Sequence, residues 1–136
     1  MNIVIDSNIL FSALIKDSFT RDIILKYTGF FLFPDFIFEE VENHKEELLE
    51  KSKLNKPDFD NLLRLILKKV FIVPNEVLSP YKKEALEIVK DIDVDDVMFA
   101  ACALAYPNSI IWSDDKKLKK QSKIKILNTK EIINFI

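Results

Sequence analysis

Four acidic stations punctuate the sequence, and each stands where an apolar run ends or a helical pattern begins. Asp6 closes Met1-Asn2-Ile3-Val4-Ile5 and opens Asp6-Ser7-Asn8-Ile9-Leu10. Glu39-Glu40, Asp93-Val94-Asp95-Asp96 and Asp114-Asp115 follow. Carboxylates in such places have two uses. Each can cap a helix, because aspartate accepts from the free N–H groups of a first turn. Brought together, they make an all-oxygen pocket suited to a hard cation, Mg²⁺ or Mn²⁺. For Asp6 alone the two uses are equally open. Glu40 alone reads as surface charge on a glutamate-rich helix, and Asp114-Asp115 alone as a turn or helix start. In Asp93-Val94-Asp95-Asp96 the acids outnumber what one cap requires, so Asp93 can cap while Asp96 points inward.

The scarce residues exclude other chemistry. The chain has one glycine, one histidine and one cysteine. Gly29 alone cannot build a dinucleotide-binding or Walker-type glycine loop. His44 and Cys102 cannot make a structural zinc site. His44 lies in Glu42-Asn43-His44-Lys45-Glu46, which reads as a solvated helix face rather than as part of a catalytic triad. Cys102 allows no intrachain disulfide, fits a reducing, cytoplasmic setting, and reads as a small core hydrophobe. No apolar run approaches the ~18 residues of a membrane span, and the N-terminus has no signal-peptide pattern. Neither a membrane span nor a leader is therefore expected.

With a net charge of −2, no global positive field draws the chain to nucleic acid. Locally, Lys116, Lys117, Lys119, Lys120, Lys123 and Lys125 cluster just after Asp114-Asp115. They are either a solvated helix and turn or, beside an acidic metal pocket, a holder for substrate phosphates.

Positioning these groups requires a scaffold. A chain of 136 residues, 49% hydrophobic and 31% charged, has the size and balance of one domain spanning residues 1–136. Short apolar runs at 2–5, 30–33, 70–73, 109–112 and 124–127 suit strands buried on both faces. Helical patterns fall between them. They cover Ser7 to Lys16, Thr20 to Tyr27 with Gly29 at the C′ position, and Pro34-Asp35 to Ser52. Further patterns run from Pro57-Asp58 to Lys69, from a Ser79-Pro80 cap to Lys90, over Val94–Ala105, and over Lys130–Phe135 capped by Thr129. The stretch after Asp96 has almost no polar face and predicts a buried helix.

Strands alternating with helices predict a three-layer α/β/α sandwich around a mainly parallel sheet of about five strands. Right-handed crossovers then put every strand's carboxyl end on one edge, where ligands bind in open sheets. Asp6 and Asp114-Asp115 land on that edge together. A phosphoacceptor domain of receiver type would need an aspartate after the third strand, and Val70-Phe71-Ile72-Val73-Pro74 supplies none.

At this point the chain resembles the PIN-domain ribonucleases, including toxins of VapC type, over essentially its whole length. The resemblance rests on Asp6-x-Asn8 after the first strand and on Glu40-Val41 in the helix from Pro34. Asp96 ahead of Ala100-Ala101-Cys102-Ala103, and Trp112-Ser113-Asp114-Asp115, complete it. It implies a metal-dependent ribonuclease in which Asp6, Glu40, Asp96 and Asp115 hold one or two Mg²⁺ or Mn²⁺ ions. Asn8 and Ser113 would be supporting polar groups, with serine standing where the family more often has threonine. Glu39 stays an alternative to Glu40, and Asp93 or Asp95 could share the work of Asp96. RNA is the implied substrate, and a toxin would need an antitoxin partner. The eleven phenylalanines could serve such a partner or a homodimer, although Phe30, Phe31, Phe33, Phe36 and Phe38 read more simply as core. The rival from another class is a non-catalytic interaction module, which would be expected to have lost some of the four acids.

Overall fold

Five short apolar segments become strands in the computed structural model, which describes residues 1–15 and 19–136. They are β1 (Asn2–Ile5), β2 (Phe31–Pro34), β3 (Val70–Val73), β4 (Ser109–Trp112) and β5 (Lys125–Leu127). Their neighbours are all parallel, in the order β3-β2-β1-β4-β5. Between them run α1 (Ser7–Leu14), α2 (Phe19–Lys26), α3 (Ile37–Ser52) and α4 (Lys56–Leu67). Next come α5 (Asn75–Leu78), α6 (Lys82–Val89), α7 (Val97–Ala105) and α8 (Thr129–Ile133). This is the expected α/β/α arrangement with a five-stranded sheet. Among the described residues no helix is long and apolar enough to cross a membrane.

The strand order sets the site. The chain steps outward from β1 to β2 and β3, then returns to the other flank of β1 as β4 and β5. Such a reversal leaves a crevice at the carboxyl ends of the two strands beside it. Those strands are β1 and β4. Ile5 pairs with Trp112, so Asp6 and Ser113 are the next residues of both segments at that edge. The strands are held there by a dry interior, since Ile3, Val4, Ile5 and Trp112 are completely buried. Each such aliphatic side chain stabilises the fold by about 1.5–3 kcal/mol relative to leaving it exposed.

Helix α7 positions the second acidic station. Phe99, Ala100, Ala101, Cys102 and Ala103 are all buried, as the lack of a polar face predicted. The alanines keep this helix thin, and it lies across β1, β2 and β4 with α6 against its outer side. Cys102 is part of that core, and burial pushes its thiol up to about 12, so it is an inert apolar filler.

Several local expectations change. Gly29 does not adopt a left-handed conformation. It lies instead beneath the far end of the Tyr27 side chain, whose ring a Cβ would meet at 2.9 Å. The expected end of α1 at Lys16 lies outside the described residues. Ser79 is not an N-cap, because a helical segment already starts at Asn75 and the Ser79 hydroxyl donates back to the Asn75 carbonyl at 3.0 Å. The last helix is capped by Asn128 in a reciprocal box with Glu131, one residue earlier than expected. Phe30 and Phe38 are exposed rather than core. Phe30 precedes β2 and sits under the Lys69 ammonium, 5.9 Å away, while Phe38 lies on the outer face of α3. Phe71 on β3 is also exposed, because an edge strand lies where the helical layers end.

Candidate metal centre

Asp6 leaves β1 at the crevice and does two jobs at once. Its Oδ1 accepts from the Ile9 backbone N–H at 2.9 Å, which caps α1. Its Oδ2 accepts from the Ser113 hydroxyl at 2.5 Å. Ser113 Oγ in turn accepts from the Asp115 backbone N–H at 3.1 Å. Asp6 and Ser113 are both almost fully buried, 5% and 1% exposed. That burial pushes the Asp6 carboxyl above the usual carboxylate range, the bonds from Ser113 and Ile9 pull it back, and the charges of Asp114 and Asp115 push it up again.

The two aspartates after β4 separate cleanly. Both Asp114 oxygens accept from Thr129, one from its backbone N–H and one from its hydroxyl, each at 2.8 Å. The same hydroxyl accepts from the buried Trp112 indole at 3.1 Å. Asp114 therefore fastens α8 to the end of β4. Asp115 accepts from the Lys117 N–H at 3.0 Å through one oxygen and lines the crevice.

The station before α7 supplies the rest. Asp93 caps a single 3₁₀ turn, Val94–Asp96, by accepting from the Asp95 N–H at 3.0 Å. Asp93 and Asp96, at the two ends of this turn, bring carboxylate oxygens within 4.8 Å of each other. Asp96 makes no capping bond of its own, which removes the plainer explanation for its presence. Its Oδ2 is enclosed and has no hydrogen-bond partner among the described residues. Burial above all, then the charges of Asp93, Asp6, Asp115 and Asp95, push the Asp96 carboxyl up to about 7. An enclosed, unsatisfied carboxylate oxygen among like charges is costly unless a cation joins it.

These acids share one cleft of about 550 Å³, lined among others by Asp6, Asn8, Glu40, Asp93, Asp96 and Asp115. Asp93, Asp96 and Asp115, all half-buried, offer oxygens that lie within 4.8 Å of one another. The donor set is entirely oxygen and fits a hard divalent cation rather than zinc or copper. All four carboxylates expected from sequence reach the cleft, and Glu40 rather than the exposed Glu39 is the one lining it. Asn8 lines it as an exposed side chain, while Ser113 acts from behind through Asp6. The tight group is not the expected quartet, however: Asp93 belongs to it, and Asp6 and Glu40 stand further out. The three-residue spacing of Asp93 and Asp96 was the available signal. Phe36, Met98 and Phe99 form an apolar wall that no charge pattern announced. Phe33, Phe36 and Phe99 stack there with ring centroids 5.3–5.5 Å apart.

No curated protein matches the sequence. A family model described as PIN domain matches residues 4–133. That span contains β4, the carboxyl end of β1 and every acid that lines the crevice. The chain belongs to the PIN domain family, whose members are in general nucleases that act with divalent metals.

Proposed function

We propose that the protein is a ribonuclease that hydrolyses RNA phosphodiester bonds with Mg²⁺ or Mn²⁺ held in this cleft. The observation that carries the reading is Asp96 Oδ2, an enclosed carboxylate oxygen without a partner among the described residues, set among Asp93 and Asp115. Asp96 and Asp115, with Asp6 and Glu40 beside them, would hold the cation, and Asp93 adds a fifth carboxylate. When bound, the cation supplies Lewis-acid activation of the phosphodiester and neutralises the cluster. The chain's own groups do the rest. Ser113 favours the ionised form of Asp6 against the effect of burial, and aims it, by donating to it. Glu40, approaching from α3, can orient a water across the cleft from Asp96. Asn8 offers an amide to the substrate at the rim. Lys116, Lys117, Lys120 and Lys123, beyond Asp115, would hold the RNA backbone.

The test is a panel of defined RNAs with Mg²⁺ or Mn²⁺, wild type beside Asp6→Asn. Asparagine can still cap α1, so the variant should fold and melt like wild type while losing cleavage. Equal cutting by the two proteins, or no cutting by wild type with either metal, sinks the reading. We further propose a toxin role in the cytoplasm, held in check by an antitoxin protein. Growth arrest on expression, relieved by Asp6→Asn and by a co-expressed neighbouring gene product, would distinguish this from routine RNA processing.

A further inference from the structure

The acidic cleft does not end at Asn8. That residue also lines a second groove of about 390 Å³ between α1 and α3, so the two spaces adjoin at one side chain. Asn8, Phe11 and Ser12 on α1 face His44, Glu47 and Lys51 on α3. Both sets follow the three-and-four spacing of one helix face. The Phe11 and His44 rings lie 4.8 Å apart at 43°. His44 Nδ1 is 3.0 Å from the Glu40 carbonyl oxygen. A carbonyl only accepts, so Nδ1 carries the hydrogen in this contact, and with one ring hydrogen placed there Nε2 is left as the acceptor. Glu40 and His44 are one helical turn apart, the first lining the cleft and the second the groove.

We propose that this groove receives a nucleobase of the substrate strand adjacent to the scissile phosphate. The base lies against the Phe11–His44 ring pair, and its edge donates to His44 Nε2. This inference rests on the ribonuclease reading and names a subsite for it. A base fits better than a phosphate, because the charged residues lining the groove, Glu47 and Lys51, already neutralise each other at 2.7 Å. Single-stranded nucleic acid is gripped through such aromatic surfaces, with polar edges adding sequence preference. Asn8 and Ser12 supply further polar groups along the path from cleft to groove.

His44 is the chain's only histidine, so its imidazole gives one assignable NMR signal. Full-length protein carrying Asp96→Asn, with Mg²⁺, is titrated with a short single-stranded RNA. The His44 ring signals should shift, and nucleotide-free ribose phosphate should leave them in place. In the cleavage assay His44→Phe, which keeps a ring and removes the acceptor, should flatten the base preference beside the cut. His44→Ala should in addition raise KM about tenfold, more than it lowers kcat. Cleavage that depends on Asp6 but leaves the His44 signals unmoved by RNA overturns the subsite and spares the ribonuclease. The subsite also falls if only a partner peptide moves those signals. Absence of cleavage by wild type overturns both.

Discussion

Ser113 donates its hydroxyl to Asp6 across 107 positions of sequence, at 2.5 Å, while accepting from the Asp115 N–H. One buried oxygen thus links the carboxyl ends of β1 and β4 and sets the acidity of Asp6 between them. Without the Ser113 hydrogen bond, burial and the neighbouring charges would act on Asp6 with only the Ile9 N–H opposing them.

Ser113→Ala should therefore weaken Mn²⁺ binding roughly 10–100-fold, the usual effect of losing a group that orients a ligand. Stability should fall by about 1–2 kcal/mol, since a buried carboxylate oxygen loses its donor. Ser113→Thr keeps the hydroxyl and should recover most of the affinity. Calorimetric titration with Mn²⁺ reads the first effect and thermal melting the second. An alanine variant that binds Mn²⁺ like wild type would show that this bond does not serve the metal.

The adjacent aspartates should part company on mutation. Asp114→Ala removes both bonds to Thr129 and should cost about 1–3 kcal/mol by loosening α8, with Mn²⁺ affinity nearly kept. Asp115→Asn should cost little stability and lose metal affinity at least about tenfold. A reversal of these two outcomes in paired melts and titrations would mean the roles are misassigned.

Asp96 gives the protein a pH signature without metal. Its carboxyl is raised to about 7 in the folded chain, from an ordinary value of 3.8. Between those values the folded state holds a proton that the unfolded state has released. Stability from this group is therefore lost as pH rises from about 4 to about 7, and it stays lost above that. In EDTA at pH 8, Asp96→Asn should be more stable than wild type by on the order of 1–2 kcal/mol, after discounting for the solvent that reaches this half-exposed group. At pH 4 the two should melt alike. Mn²⁺ at about a hundred times its Kd should stabilise wild type at pH 8 by about 2.7 kcal/mol and the variant much less. Identical melting curves for both proteins at pH 8 would contradict the strained carboxylate.

The lysine run should act on RNA without acting on metal. Lys116, Lys117, Lys120 and Lys123 make no side-chain ion pair among the described residues, whereas Lys119 is tied to Glu131 and Lys125 lies over Phe135. Replacing Lys117 or Lys120 with alanine should weaken RNA binding and reduce the slope of log K against log salt by about 0.7 for each phosphate no longer neutralised. Lys119→Ala should change that slope less. Binding curves at several salt concentrations decide the matter, and unchanged slopes would return the run to ordinary surface.

How far the sequence reached depends on what each signal measures. The parallel sheet was legible because four-residue apolar runs such as Asn2–Ile5 and Ser109–Trp112 have few other ways to be buried. The shared edge of Asp6 and Asp115 then followed from crossover handedness alone. Glu40 over Glu39 needed the rotational setting of α3, which both residues satisfy on paper. Membership of Asp93 turned on its extended backbone just ahead of the Val94–Asp96 turn, which no residue pattern fixes. Phe30 and Phe38 were misplaced because apolar character predicts burial only on average, and each stands at the margin of an element. The His44 groove was illegible, since it depends on α1 and α3 lying side by side and no local pattern encodes that contact.

The strand order carries a consequence for the life of the chain. Asp6 leaves the ribosome long before Ser113 and Asp115, and the strand that bears those two must insert beside β1 after β2 and β3 have already been made. Until that insertion, half of the crevice does not exist. A protein proposed to cut RNA is therefore built unarmed next to the RNA that makes it, and it becomes competent only once everything through β4 has been released.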